Sequence, residues 1–147
     1  MLTRIRTADR TESGFTLIEL LVTMLIIGVL AAIAIPVFLS QRQKASDTST
    51  KADVAAAAKE LATYYVDGTG AVAVTQAAAG APVVIKDSAT PANTVATVKV
   101  SAGTELVQEK ATAGSEDTTW CLEFKNVKGA TQNFSYSAQL GLKPVTC

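Results

Sequence analysis

The dominant feature of the hydrophobic pattern is a long uncharged stretch near the N-terminus. From Leu20 to Leu39 the chain has 20 residues, and Thr23 is the one polar side chain among them. At about 1.5 Å per residue, a helix of this length spans roughly 30 Å, which matches the core of a bilayer. Gly28 and Pro36 interrupt the run, but membrane helices tolerate both residue types. The pattern predicts a membrane-spanning helix whose basic N-terminal flank stays inside the cell.

The same helix is expected to continue beyond the apolar stretch. The segment 40–66 contains no glycine or proline, and it includes a run of four alanines, which are strong helix formers. An apolar stripe with helical spacing follows its length: Val54, Ala58, Leu61 and Tyr65. Charged residues are expected to mark the wetter surface: Asp47, Lys51, Asp53, Lys59 and Glu60. Gly68 supplies a stop signal, so we predict one helix from about Phe15 to Val66.

Strand patterns dominate the remainder of the chain. The segment 67–93 is interpreted as a connection, although Val83-Val84-Ile85 has the composition of a short strand. Residues 94–100 and 105–110 flank a turn-like sequence and predict a hairpin. Alternating apolar and polar residues predict further strands around Trp120, Leu122 and Phe124, and around Phe134 and Tyr136. We expect three or four antiparallel strands in 94–147, with their aromatic face covering the apolar stripe of the helix.

Composition and charge exclude several functions. The chain has 13 basic and 13 acidic residues, so its net charge gives no electrostatic reason to expect nucleic acid or acidic lipid as a partner. It has no histidine, which removes the commonest general base and a common metal ligand. Its two cysteines are too few for a structural zinc site. We therefore predict no enzymatic activity, no metal and no cofactor.

Three fates of the apolar segment have to be compared. Ala32-Ile33-Ala34 fits a secretory cleavage site, which would release a soluble product beginning at Ile35. A plain signal anchor would leave a single-pass membrane protein. Neither accounts for Glu19, because a carboxylate near the bilayer centre costs about 3 kcal/mol or more. Thr16 and Glu19 have the spacing of a capping box, which would place the carboxylate favourably in the first helical turn. Alternatively, Glu19 pairs with a cation from another chain, such as a new amino terminus created by cleavage after Gly14.

The residues around Glu19 resemble a known signal. The sequence is Gly14-Phe15-Thr16-Leu17-Ile18-Glu19-Leu20-Leu21-Val22. It resembles the cleavage and methylation signal of type IV prepilins and the related pseudopilins, and the resemblance extends to about Lys44. This combination is far more specific than a short motif.

The resemblance implies a role for several residues. Gly14 would be the last residue of a leader removed by a prepilin peptidase, and Phe15 would become an N-methylated amino terminus. Glu19 would pair with the Phe15 amine of a neighbouring subunit during assembly. Gly28 and Pro36 would lie where related helices bend or unwind in the filament, and both residue types weaken a helix.

The expected fold is therefore α+β, the pilin fold, with a long N-terminal helix on a C-terminal antiparallel sheet. The chain would comprise a leader at 1–14, a hydrophobic membrane and filament-core helix at 15–39, and an exported head at 40–147. Within the head we expect the amphipathic half of the helix at 40–66, a connection at 67–93 and the sheet at 94–147. In an oxidising compartment after export, Cys121 and Cys147 are expected to form one disulfide.

The leading hypothesis is a structural subunit of a type IV pilus, a homopolymer on the cell surface that begins as a single-pass inner-membrane precursor. Its expected partners are other copies of itself, the prepilin peptidase, the membrane before assembly, and an assembly platform with its ATPase. A pseudopilin of a type II secretion or competence apparatus is the nearest alternative. A minor DNA-receptive pilin would use Lys125, Lys128 and Lys143, but these form a weak basic patch, and nucleic acid is not an expected partner.

Overall fold

The computed structural model describes residues 14–68, 70–87, 93–109 and 119–147. The predicted leader, 1–14, lies outside these residues except for Gly14. The described chain forms one helix, α1 (Leu17–Asp67), followed by seven strands. The strands are β1 (Val72–Gln76), β2 (Val83–Asp87), β3 (Thr94–Val98), β4 (Glu105–Glu109), β5 (Cys121–Lys125), β6 (Asn133–Ser137) and β7 (Gly141–Lys143).

The predicted α+β arrangement is confirmed, with α1 packed against antiparallel sheets. The first sheet has the order β1-β2-β3, and the second has the order β4-β5-β6-β7. The helix begins and ends within two residues of the predicted bounds, and it is continuous through Gly28 and Pro36. The residue after the helix is Gly68, where a Cβ would lie 2.7 Å from the Tyr64 ring.

The chain divides into two compact units, Met1–Phe38 and Leu39–Cys147. The second unit, which we call the head, has its core between α1 and both sheets. All four predicted stripe residues of α1 are buried there. They pack with apolar side chains of the strands, including Val83, Ile85, Leu122, Phe124 and Phe134. The prediction that an aromatic strand face covers the helix stripe is confirmed.

The expectation of a connection at 67–93 differs from the structure, which places β1 and β2 within that range. The predicted hairpin between 94–100 and 105–110 is wrong. The two strands of that prediction belong to different sheets, because β3 pairs with β2 and β4 pairs with β5. The turn between β3 and β4 is instead bonded to α1. The Ser101 N–H and the Thr104 hydroxyl both donate to the carboxylate of Asp53, each at 2.8 Å.

The prediction that the charged residues of α1 mark its wetter surface is only partly correct. Lys51, Lys59 and Glu60 are exposed. Asp47 and Asp53 are instead each 8% exposed, because loops of the head donate hydrogen bonds to them. The Thr131 N–H donates to both carboxylate oxygens of Asp47 at 3.2 Å.

Candidate functional site

The first candidate site is the N-terminal signal, and its local geometry comes from the start of α1. The Thr16 N–H and the Thr16 hydroxyl donate to Glu19 Oε2 at 3.0 and 2.9 Å. The Glu19 N–H in turn donates to Thr16 Oγ1 at 3.3 Å. This reciprocal arrangement satisfies backbone groups that the first turn of a helix leaves unpaired, so the predicted capping box is confirmed.

The capping box leaves part of the Glu19 carboxylate available. Both hydrogen bonds from Thr16 end on Oε2, and the structure gives Oε1 no partner among the described residues. Glu19 is exposed. Phe15, the residue directly before this cap, is 85% exposed. The site can therefore hold the helix start and still accept a further hydrogen bond or ion pair from outside the chain.

The helix that follows the cap exposes its large apolar side chains in the chain as described. Every large apolar side chain from Phe15 to Leu39 is between 44% and 85% exposed. By length and composition α1 contains a stretch that is apolar enough to cross a membrane. Exposing so much contiguous apolar surface to water is strongly unfavourable, so this segment requires lipid or other protein around it.

The second candidate site lies around the disulfide, which the structure forms between Cys121 and Cys147 with their Cα atoms 6.0 Å apart. The segment ending at Cys147 covers the outer side of β5. Consequently Glu123 is only 2% exposed, although its position in the alternating strand pattern predicted a solvent-facing side chain. The Cys147 N–H donates to Glu123 Oε2 at 3.3 Å, and the Asn133 amide donates to Oε1 at 3.2 Å.

Sequence reasoning missed the hydrogen bonds of Glu123 because they join residues far apart in the chain. The sequence feature that could have indicated these hydrogen bonds is the position of Glu123 as a single acidic residue next to the apolar residues Leu122 and Phe124. Next to the disulfide, a cleft of about 260 Å³ is lined by Ser135, Ser137, Lys143 and neighbouring residues.

The three lysines weighed as a basic patch lie in different surroundings. Lys125 Nζ is paired with Glu105 Oε2 at 3.2 Å. Lys128 lines a groove with the start of the head portion of α1, whereas Lys143 lines the cleft beside the disulfide. Among the described residues, no group of three or more potential ligands is placed to hold a metal ion.

The capped apolar helix is the part of the chain for which a family match is found. The family model for the prokaryotic N-terminal methylation motif matches residues 9–35, a range that includes Gly14, Phe15 and Glu19. The N-terminal segment therefore matches the prokaryotic N-terminal methylation motif, and the resemblance inferred from the sequence is confirmed.

Comparison with individual proteins gives two kinds of relative. The chain is 43% identical over 58 residues to type II secretion system core protein G of Pseudomonas aeruginosa, covering 40% of this chain and 41% of that protein. It is 45% identical over 58 residues to the type IV wide pilus major component PilA4 of Thermus thermophilus, covering 40% and 44%. The core protein G of Escherichia coli is 36% identical over 62 residues, covering 42% of each chain.

These matches have a limited extent. The chain spans about two fifths of the length of the curated relatives it matches, 41% for the first of them. No solved structure matches the chain. The comparisons therefore identify the relatives as pilin and pseudopilin subunits, whereas the function of the whole protein is argued below as a proposal.

Proposed function

We propose that the protein is a structural subunit of a type IV pilus that polymerises through its N-terminal helix. The observation that carries this proposal is the methylation motif at residues 9–35, which includes the start of a helix whose large apolar side chains up to Leu39 are all exposed. In the precursor, lipid would surround this segment. In the filament, copies of the same helix would replace the lipid through van der Waals packing.

Maturation would create the partner that Glu19 needs. Cleavage by a prepilin peptidase after Gly14 would release the leader and leave a free amine on Phe15, which would then be N-methylated. The Glu19 carboxylate of a neighbouring subunit would accept from this amine through Oε1, which the capping box does not use. A charge-assisted pair of this kind is strong where water is scarce. Gly28 and Pro36 would allow the helix to adjust during packing.

The protein would accordingly act without catalysis and without a cofactor. Its partners would be other copies of itself, the prepilin peptidase, and a membrane platform with an ATPase that supplies the energy for assembly. The precursor would be a single-pass protein of the inner membrane, and the filament would be extracellular.

A pseudopilin is the second candidate, since several relatives are core protein G of type II secretion systems. The two candidates differ in the location of the polymer. Electron microscopy of producing cells would show surface filaments for a pilus subunit. For a pseudopilin, deleting the gene would instead stop secretion of exported enzymes while leaving the surface filaments unchanged.

The first test is intact-mass and N-terminal analysis of the protein from its native cells. The proposal expects a chain that starts at N-methylated Phe15, and it expects Gly14→Val to retain the leader. A chain starting at Ile35 would mean a secreted soluble domain and would exclude the filament.

A pair of variants separates assembly from helix capping. Glu19→Gln keeps a side chain that suits a capping box but removes the charge, whereas Thr16→Ala removes the cap and keeps the charge. We expect Glu19→Gln to be cleaved normally and to reduce filament yield at least about tenfold, because the ion pair with the amine is lost. Thr16→Ala should assemble nearly normally. Equal loss in both variants would show that Glu19 acts only as a cap.

A further inference from the structure

One face of α1 in the head carries charges that are separated by sign. Arg42 and Glu60 are 18 residues apart, which is about five full turns at 3.6 residues per turn, so they lie on the same side of the helix. Asp67 follows seven residues later and is within about 20° of the same direction. All three residues are exposed. The face therefore has a cation near its start and two carboxylates near its end.

A groove at the start of this face contains a second cation, Lys128, in addition to Arg42. It has a volume of about 720 Å³ and lies between α1 and the loops that precede β4 and follow β5. Its lining includes Arg42, Ser46 and Ser49 from the helix, with Asn126 and Lys128 from the loop after β5. We call it the basic groove.

The loop that carries Lys128 is held against the helix by specific contacts. The Lys128 N–H donates to Asn126 Oδ1 at 3.1 Å, and the Thr131 N–H donates to the buried Asp47. Gly129 packs so closely on Asp47 that a Cβ there would collide with the carboxylate. The backbone at Lys128 is thus fixed relative to α1, and the basic groove is a built feature.

The acidic end of the face is equally accessible. Glu60 has no ion-pair partner among the described residues. Val66, next to Asp67, is 78% exposed. Between the groove and Glu60, this side of the helix carries the small side chains Ser49 and Ala56 together with Asp53, which the loop preceding β4 covers. The accessible parts of this face are therefore its two ends, the basic groove and the segment from Glu60 to Asp67.

We propose that the basic groove of one subunit binds the acidic end of α1, Glu60 to Asp67, in a second copy of this chain. The two helices are parallel and shifted along their axes by about 27 Å, the rise of the 18 residues from Arg42 to Glu60. Without this shift, equal charges face each other; with it, Arg42 and Lys128 face Glu60 and Asp67. The charge pattern thereby favours one axial shift between neighbouring subunits, as charged positions do in coiled coils.

This inference rests on the proposed polymer and specifies which surfaces of the heads meet in it. A small anion or a lipid phosphate could occupy the two cations of the groove. Such a ligand would leave the carboxylates at the other end of the same face without a role. A second copy uses both ends, and that is why we favour it.

Charge reversal tests the pairing in the full-length protein. Lys128→Glu and Glu60→Lys are each expected to reduce filament yield about fivefold relative to wild type, because like charges then meet at every repeat. Combining the two changes restores opposite charges, and the yield should return to within about twofold of wild type. Lys143→Glu is the matched control, since it makes the same change of charge at an exposed lysine of β7 and should assemble normally.

A second measurement requires no variant. Filaments assembled from a mixture of ¹⁴N- and ¹⁵N-labelled protein are treated with a zero-length carbodiimide cross-linker and analysed by mass spectrometry. We expect cross-links between Lys128 and Glu60 or Asp67 that join a light chain to a heavy one. These cross-links should be absent from the unassembled protein in detergent.

The outcomes separate the inference from the proposed function. If the wild type forms no filaments, the proposed function is wrong and this inference falls with it. If the wild type assembles but the single reversals behave like Lys143→Glu, or if Lys128 forms its mixed-isotope cross-links with other carboxylates only, the axial shift proposed here is wrong. If anionic lipid vesicles bind the wild type but not Lys128→Glu while the two proteins assemble equally, the groove binds a lipid phosphate and the inference is wrong.

Discussion

At the scale of single residues, acidic side chains of α1 connect the helix to the loops of the head. Asp53 accepts from the Ser101 N–H at 2.8 Å and from the Thr104 hydroxyl at 2.8 Å, and Thr104 is fully buried. Asp47 holds the loop after β5 in a similar way. A buried carboxylate is retained at such positions because its hydrogen bonds compensate for the loss of water.

Asp53→Ala is expected to destabilise the head by about 2–4 kcal/mol, because it leaves a buried hydroxyl and a backbone N–H without acceptors. Glu60→Ala, at an exposed position of the same helix, should change stability by less than about 0.5 kcal/mol. Urea unfolding in mild detergent can be followed by the fluorescence of Trp120, the single tryptophan, which is 3% exposed. Equal midpoints for the two variants would show that the contacts of Asp53 contribute little.

At the scale of elements, one side chain joins the two sheets. Gln76 lies at the end of β1, and its Nε2 donates to Ala81 O at 2.8 Å and Thr104 O at 3.1 Å. Its Oε1 accepts from the Leu106 N–H of β4 at 2.6 Å. The Gln76 side chain therefore links β1 of the first sheet to β4 of the second, although these strands form no backbone ladder with each other.

Gln76→Ala should cost about 1–3 kcal/mol, since the Leu106 N–H of β4 and the Ala81 carbonyl lose the amide to which they are bonded. It should also increase hydrogen exchange at the Leu106 amide more than at β5 amides, because the loss is local. Gln139→Ala, at an exposed turn, is the control. A uniform increase in exchange over the whole head would indicate a general loss of stability instead.

The elements also show how far the sequence could predict the structure. Helix limits, the buried stripe and the aromatic strands follow from periodicity, because each depends on residues close in the chain. The sheet partners of β3 and β4 cannot be predicted in this way, because the turn between these strands is held by Asp53 and Gln76 through contacts 28 to 51 residues away in sequence. In the N-terminal signal, Thr16 and Glu19 are only three residues apart, and the cap was predictable for that reason.

At the scale of the whole molecule, two contacts hold the segment that ends at Cys147 against β5. The disulfide joins Cys147 to Cys121 across 26 residues of sequence. The carboxylate of Glu123 accepts from the Cys147 N–H beside it. The burial of Glu123 depends on this final segment, so the two contacts are expected to be coupled.

Replacing both cysteines by serine should destabilise the head by about 3–4 kcal/mol, the chain-entropy value for a loop of this length. Glu123→Gln should cost about 1–3 kcal/mol in the oxidised protein, because an amide nitrogen cannot accept from a backbone N–H as the carboxylate does. In the background without the disulfide, the same change should cost much less, since the released segment no longer buries Glu123.

A double-mutant cycle by urea unfolding measures this coupling, and Glu105→Gln, at a half-buried carboxylate of β4 that pairs with Lys125, is its control. If the costs of the cysteine and Glu123 changes simply add, the final segment stays docked without the disulfide. The covalent bond would then restrict the unfolded chain more than it positions the folded one. If the costs do not add, the disulfide and Glu123 act together to keep the segment on β5. Reduction of the bond would in that case open the outer side of β5 to solvent while leaving the core behind it intact.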